Sequence, residues 1–255
     1  MYLSLLLIDV GSNPDRPRPG RMWLRNLYRV HQRLCMAFPS ASQEQSDGHF
    51  LGPFRPEQFA QGHVHVQRSG DAGFLFRVDP RAGGRCAISV LSALEPKWDY
   101  AFRNAGHFLA GPPQTRPFSP TISTGARFAF RLQANAVFRA RRQSVYRAGI
   151  PISEKWVGKR VGVPGDEKSA RAWLERRAAA SGFALVRILL ARPGYIRING
   201  ATGSEKGQNL RSMRYEGVLA VTDADLFRRT LVAGIGPAKA FGFGLLSIAP
   251  VKPEP

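Results

Sequence analysis

Two stretches of this 255-residue chain carry the same order of apolar patterns, approximately strand, helix, strand, strand, helix, strand. In the first half, Tyr2–Asp9 is rich in Leu and Ile and reads as a buried strand. Met22–Phe38 follows as a helix, with Trp23, Leu24, Leu27, Val30, Leu34 and Cys35 at helical spacing, and Pro39 ends it. Phe74–Val78 and Cys86–Leu91 read as two strands joined by the turn Asp79–Arg85, and Lys97–Ala110 as a short helix at most. In the second half, Arg127–Asn135 alternates as a strand does, Asp166 caps a helix over Glu167–Ala180, and Phe183–Leu190 and Met213–Val221 are strands. Asp223 caps a helix to Val232, and Leu245–Ala249 is the last strand. Between the halves, Gly111–Thr124 holds four prolines and reads as a linker. Each half then has the ferredoxin-like order. The expected fold is α+β, with two tandem ferredoxin-like (RRM-like) βαββαβ domains over 1–115 and 127–255 and a linker over 116–126. Gly11–Gly20 is expected to be a loop, Ala136–Gly165 basic and irregular with a short strand at Val161–Val163, and Ser40–Asp71 an irregular excursion with a short strand at Val64–Gln67.

Charge narrows the partner. The chain carries 37 Lys and Arg against 18 Asp and Glu, a formal net charge of +19. Such an excess favours a nucleic acid or an anionic membrane. No apolar run reaches the length of a spanning helix, and Met1–Val10 lacks the basic flank and cleavage site of a signal peptide, so a cytoplasmic protein is expected. The two cysteines, Cys35 and Cys86, are expected to be reduced and buried. Between Asp99 and Glu154 there is no acidic residue, while Arg103, Arg116, Arg127, Arg131, Arg139, Arg141, Arg142 and Arg147 all fall there. Arginine without a compensating carboxylate suits phosphate oxygens, which its planar fork binds in pairs. Neither half carries the aromatic signature of the RNA recognition module, so loops and basic grooves are expected to bind RNA, rather than stacking aromatics on the sheets.

The run Gly234–Gly244 places four glycines, Pro237 and Lys239 between two apolar segments. Glycine lets backbone N–H groups approach a ligand, and successive N–H groups can form an anion-binding concavity. The run is not a Walker loop, for it lacks Gly-Lys-Ser/Thr. It is not the dinucleotide fingerprint either, because Lys239 stands at the third glycine and the helix precedes the loop. A helix C-cap followed by a turn explains the glycines equally well.

Of five histidines, His31 stands out: it lies three residues after Tyr28 on the first helix, and positions i and i+3 share a helix face. Imidazole and phenol together can take the proton of a ribose 2′-hydroxyl and protonate the leaving 5′-oxygen, with nearby cations stabilising the phosphate. No metal or cofactor is needed. A surface or capping role is the competing reading for His31. His63 and His65 would share a strand face, a spacing that can hold a metal, but no third ligand is evident, and exposed polarity is the simpler account. Asp223 and Asp225 are explained by helix capping.

The chain resembles the Cas6e (CasE, Cse3) family of CRISPR RNA-processing endoribonucleases of type I-E systems. The resemblance extends over nearly the whole chain and rests on Gly234–Gly244 with Leu245–Pro250, on Phe130–Asn135, on Gly158–Val161 and on Leu27–His31. It implies two ferredoxin-like domains and metal-independent cleavage of the repeat stem-loop of precursor CRISPR RNA. The 2′-hydroxyl attacks the adjacent phosphate, leaving a 5′-hydroxyl and a cyclic phosphate, and the product is retained within the Cascade complex with its other subunits. Tyr28 and His31 match the family's active-site tyrosine and histidine, with His31 as general acid/base and Tyr28 positioning the ribose or assisting proton transfer. Lys159 and Arg160 match a basic stretch that approaches the RNA, and the glycine loop (Gly234, Gly236, Gly242, Gly244), with Lys239, contacts RNA or supports the site. Arg127, Arg131, Arg139, Arg141 and Arg142 are the further RNA-binding candidates. Gln32 and Gln133 stand where relatives can carry a basic residue. Two other classes stay open at this point: a non-catalytic RNA-binding subunit of the same complex, and a basic ribosome-associated or DNA-binding protein.

Overall fold

The computed structural model of the protein describes residues 1–13, 15–16, 18–39, 73–142, 145–146, 150–198 and 208–251. The chain divides into two compact units. One comprises Met1–Thr121 together with Lys239–Gly242, and the other Ile122–Ala238 with Phe243–Pro255.

The first unit opens with β1 (Tyr2–Asp9), whose alternate residues Leu6 and Ile8 are fully buried. Two short helices follow where one long helix was expected: α1 (Pro19–Leu24) and α2 (Leu27–Cys35). Pro19 starts α1 inside the expected loop, where a missing N–H costs nothing. The break has a local cause. Asn26 is extended (φ −118°, ψ 93°), and its side-chain oxygen accepts hydrogen bonds from the backbone N–H groups of Tyr28 and Arg29 at 3.1 and 3.3 Å. An Asn that bonds the next turn restarts the helix rather than continuing it. β2 (Phe74–Arg81) and β3 (Arg85–Ser92) form a hairpin, with Gly83 and Gly84 at φ 70° and 66°. β2 runs three residues beyond its expected end and keeps Pro80, which an edge strand tolerates. After the single-turn α3 (Trp98–Ala101), β4 (Gln114–Pro117) lies in the proline-rich stretch that reads as linker. It pairs antiparallel with β1, Tyr2 opposite Pro117. Edge position again explains how a proline-flanked, fully exposed segment can be a strand. The sheet order is β2-β3-β1-β4, antiparallel throughout. Its core joins Leu6 and Ile8 to Val30 and Leu34 of α2 and to Phe76, Ile88, Val90 and Trp98.

The second unit repeats the plan. β5 (Arg127–Ala134) is central, followed by the small strands β6 (Val137–Arg139), β7 (Val145–Tyr146), β8 (Ile150–Pro151) and β9 (Arg160–Gly162). β6 pairs with β9, close to the strand expected at Val161–Val163, and β7 with β8, so the described part of the basic stretch holds two small two-stranded sheets. α4 (Glu167–Ala179) is capped by Asp166, whose carboxylate accepts from Ser169 N–H at 2.7 Å. β10 (Phe183–Ile198) and β11 (Gln208–Val221) are longer than expected, and Pro193 and Gly194 remain inside the ladder opposite Met213 and Ser212. α5 (Ala224–Ala233) is capped by Asp223, and β12 (Leu246–Pro250) closes the sheet in the order β10-β11-β5-β12. Numbered within the unit, both sheets have the strand order 2-3-1-4, the ferredoxin-like arrangement expected from the duplicated pattern. Phe128, Phe130, Leu132, Trp173, Leu174, Tyr215, Phe227 and Leu231 build the second core. Tyr215 is wholly buried and donates to the Ala170 carbonyl at 3.0 Å, and burial pushes its phenol well up. Both cysteines are free, with Cys35 buried and Cys86 only half-buried.

Candidate active site and nucleic-acid interface

The Asn26 cap sets the first turn of α2, and so the direction of Tyr28. Tyr28 and His31 then share a face, their ring centroids 6.4 Å apart. Behind them stands β2. The His31 ring lies 5.3 Å from Phe74 and 6.1 Å from Phe76, near parallel to the latter at 16°. Its Nε2 is 3.7 Å from Cys35 Sγ, one turn on. Only 5% of His31 is exposed, whereas Tyr28 is half-buried. The imidazole is thus held in a fixed orientation by aromatic faces, and the phenol is the more open of the two groups.

The C-terminal glycine run enters the same unit. Lys239–Phe241 forms a 3₁₀ turn, and Phe241 packs on Tyr28 with centroids 6.1 Å apart. Gly242 has φ 77°, and a Cβ there would stand 3.2 Å from Phe76 Cε2, the ring that flanks His31. The dihedral at 242 favours glycine, and a Cβ there would also crowd the Phe76 ring. Gly234, Gly236 and Gly244 also have positive φ, as does Ala238 at 65°. The loop's own contacts use several of the N–H groups that a phosphate cradle would need. Ile235 N–H donates to Gly244 O at 2.9 Å, Gly242 N–H to Lys239 O at 3.2 Å, and Gly244 N–H to Gln133 O at 2.8 Å. These contacts fit a loop that shapes the site better than one that cradles an anion with its backbone.

The candidate residues fall into two groups. Tyr28, His31, Lys239 and Gly242 belong to the first unit. Arg127, Arg131, Arg139, Arg141, Arg142, Lys159 and Arg160, with Gly234, Gly236 and Gly244, belong to the second. Arg139 and Arg160 are directly opposite on β6 and β9, both exposed. Like charges opposite one another destabilise a ladder, and an anion between them removes that penalty. Arg139 Nε also donates to Gly158 O at 3.1 Å, which holds the guanidinium over the turn that carries Lys159. Arg141 and Arg142 are exposed just beyond β6. Arg127 is exposed at the start of β5. Arg131 is placed differently: its Nε lies 3.0 Å from Glu216 Oε1, which Arg214 also contacts at 2.9 Å. Burial alone would raise the Glu216 carboxyl, but the hydrogen bonds and charges of Arg214 and Arg131 outweigh it and hold the group below its usual range.

Among the described residues, no group of three or more His, Cys, Asp or Glu is placed to hold a metal, and no helix is long and apolar enough to cross a membrane. His63 and His65, and the strand expected at Val64–Gln67, lie outside the described residues. Three features escaped the sequence reading. Asn26 had a visible signal, a capping residue type before an apolar repeat. Phe241 was visible only as an aromatic among glycines. The extension of β10 and β11 runs beyond the expected ends at Leu190 and Met213, and in β10 passes through Pro193-Gly194.

Comparison with known proteins places the chain in one family. A family model described as CRISPR associated protein matches residues 1–250. The chain is 28% identical to the CRISPR-associated endoribonuclease Cse3 of Thermus thermophilus, with 98% of this chain and 100% of that one covered. It is 27% identical to the CRISPR system Cascade subunit CasE of Escherichia coli, again over 98% of this chain and 100% of the relative. Among solved structures it is similar to CRISPR endoribonuclease Cse3 bound to a 19 nt RNA, with TM-score 0.66, 28% identity, and 98% and 100% of the two chains covered. These findings bear out the Cas6e resemblance drawn from the residues.

Proposed function

We propose that this chain, which belongs to the CRISPR-associated protein family, is a metal-independent endoribonuclease that cuts the repeat stem-loop of precursor CRISPR RNA. It acts in the cytoplasm, keeps the mature RNA, and joins the other subunits of a Cascade complex. The observation that carries this reading is the Tyr28/His31 pair, held on one helix face by Asn26, Phe76 and Phe241, in a chain that a relative named as an endoribonuclease matches along its whole length. Catalysis is assigned to the first unit, the expected 1–115 domain extended through β4 to Thr121 and joined by Lys239–Gly242, and the grip on RNA to the second.

In the reaction, the ribose 2′-oxygen attacks the adjacent phosphorus while the bond to the 5′-oxygen breaks. The 2′-hydroxyl proton leaves to a base and a proton is delivered to the 5′-oxygen, so the products are a 2′,3′-cyclic phosphate and a 5′-hydroxyl. His31 is the general acid/base. Tyr28 orients the ribose or assists proton transfer, and Lys239 offers a cation to the phosphate. Arg139, Arg141, Arg142, Lys159 and Arg160 grip the stem through its backbone, since the narrow A-form major groove leaves little else to read. Arg127 adds charge at the start of β5, and Arg131 does so to the extent that Glu216 releases it.

The test is incubation with candidate repeat RNAs in EDTA, followed by analysis of the new 3′ end. A cyclic phosphate at undiminished rate is expected. A strict need for divalent metal, or a 5′-phosphate product, would overturn the mechanism and return attention to His63 and His65. The near-complete burial of His31 favours one competitor, a non-catalytic RNA-binding subunit. Tight binding of the repeat RNA with no cleavage at saturating enzyme would select it.

A further inference from the structure

We propose that Trp156, with Lys155 and Lys159, is a stacking platform for one unpaired nucleobase of the bound RNA. The proposal rests on the reading of the chain as an RNA-processing protein and adds a base-contacting residue to it. Trp156 is 45% exposed, whereas Trp23, Trp98 and Trp173, the other three tryptophans of the chain, are 8%, 6% and 2% exposed. An indole with this much surface in water can meet a flat partner on its ring while its N–H stays hydrated. Its setting is rigid. Trp156 closes a 3₁₀ turn over Glu154–Trp156, donating to Ser153 O at 2.9 Å, and its own carbonyl accepts from Lys159 N–H at 2.9 Å. Ala140 N–H to Lys159 O and Gly158 N–H to Ala140 O, both 2.9 Å, tie that turn to the end of β6. Two cations lie over the ring. Lys155 Nζ and Lys159 Nζ lie 5.9 and 5.7 Å from its centroid. Arg139 and Arg160 face each other on the adjoining two-stranded sheet.

An exposed, oriented indole beside ammonium groups has the composition of a single-strand binding surface. The lysines neutralise phosphates, and the ring takes the face of a base. A duplex keeps its bases stacked on each other, so the occupant is a base from the loop or from a strand flanking the stem. A protein partner suits this setting less well, because the flanking charges Lys155, Lys159, Arg139 and Arg160 outnumber the neighbouring acid Glu154.

The experiment is a fluorescence titration of the full chain with a repeat hairpin carrying unpaired flanks, and in parallel with heparin, a polyanion without bases. Trp156 dominates the solvent-accessible emission, so RNA is expected to quench it and heparin is not. Trp156→Leu, which keeps apolar bulk but not the π face, is expected to weaken hairpin binding about 10-fold, and Trp156→Tyr to restore most of it. The slope of log K against log salt stays unchanged, since no phosphate contact is lost. Equal quenching by heparin, or Trp156→Leu binding as tightly as the native chain, would overturn the platform; so would a loss confined to assembly with partner subunits. A native chain that neither binds nor cuts the hairpin would instead defeat the endoribonuclease reading, and the two failures are distinct.

Discussion

At the scale of single residues, His31 and Tyr28, the proposed catalytic pair, differ in burial. His31 is clamped between Phe74, Phe76 and Cys35, with little of its surface in water. A group so placed is well oriented and depends on substrate reaching its small exposed edge. His31→Ala is therefore expected to lower single-turnover cleavage by at least about 100-fold, within the range for a lost general acid/base, and to shift hairpin affinity little. Cleavage at the native rate by saturating variant would remove His31 from the mechanism. Glu216 supplies a second residue-scale prediction, about stability. Its carboxyl is held low by Arg214 and Arg131, so ionisation favours the folded state. The sign follows: the contribution is present above the usual glutamate range near 4.5 and is lost as pH falls through the lower folded value. The site is only partly shielded from water, so the effect is no more than about 1 kcal/mol. Urea denaturation should show Glu216→Gln less stable than the native chain at pH 7, with the gap narrowing as pH falls below the usual glutamate range. A gap that widens in acid would contradict the assignment.

At the scale of elements, the break between α1 and α2 sets the direction of the face that carries Tyr28 and His31, the proposed catalytic pair. Asn26 holds two backbone N–H groups of the turn that carries Tyr28. Asn26→Ala should cost about 1 kcal/mol of stability, the usual cost of a lost N-cap. Its effect on cleavage should exceed its effect on hairpin affinity, because the turn carries Tyr28 and the basic segment lies in the other unit. Equal loss in both would mean that the turn holds RNA rather than orienting a reacting group. This element also marks the limit of what the residues alone reveal. Apolar spacing from Trp23 to Cys35 is continuous across Asn26, so periodicity predicts one helix, and only side-chain bonding to the backbone divides it. The same competition between local and tertiary signals recurs elsewhere. The expected strand ends at Leu190, yet pairing of Pro193 and Gly194 with Met213 and Ser212 carries β10 beyond it. Prolines around Gln114–Pro117 read as linker, yet an edge beside β1 makes a strand of them. By contrast, β1, α4 and α5 are legible from the residues, because capping aspartates or an unbroken Leu/Ile run agree with their packing. The Tyr28/His31 pair was legible for a similar reason, its spacing being a property of one helix. Phe241 was not, because more than 200 residues of chain separate it from Tyr28.

At the scale of the whole molecule, the chain's last turns return to its first unit: Lys239–Gly242 belong with Met1–Thr121, although the residues on either side belong with the second. Positive φ at Gly234, Gly236, Gly242 and Gly244 is what allows so short a run to leave and re-enter. The other molecular property is charge. A net +19 would attract any polyanion, so affinity alone says little about function. Placement of charge discriminates better. Arg141 and Arg142 are exposed beside the sheet on which Arg139 and Arg160 stand opposite each other, and the interval from Tyr100 to Ser153 supplies no acid to offset them. If both guanidiniums neutralise phosphates of the stem, each contributes roughly 0.7–0.9 to the slope of log K against log salt. Arg141→Glu with Arg142→Glu should therefore weaken hairpin binding at low salt and flatten that slope by about 1.5. The native and variant lines should converge as salt rises, because screening removes the contacts that the variant lacks. A weaker variant with the native slope would mean that the substitutions disturbed the fold around β6. An unchanged affinity would mean that this patch faces away from the RNA. Duplex DNA of equal length separates specific from general attraction: it should compete far less well than the hairpin for the native chain, and that advantage should shrink in the variant if Arg141 and Arg142 grip the A-form stem.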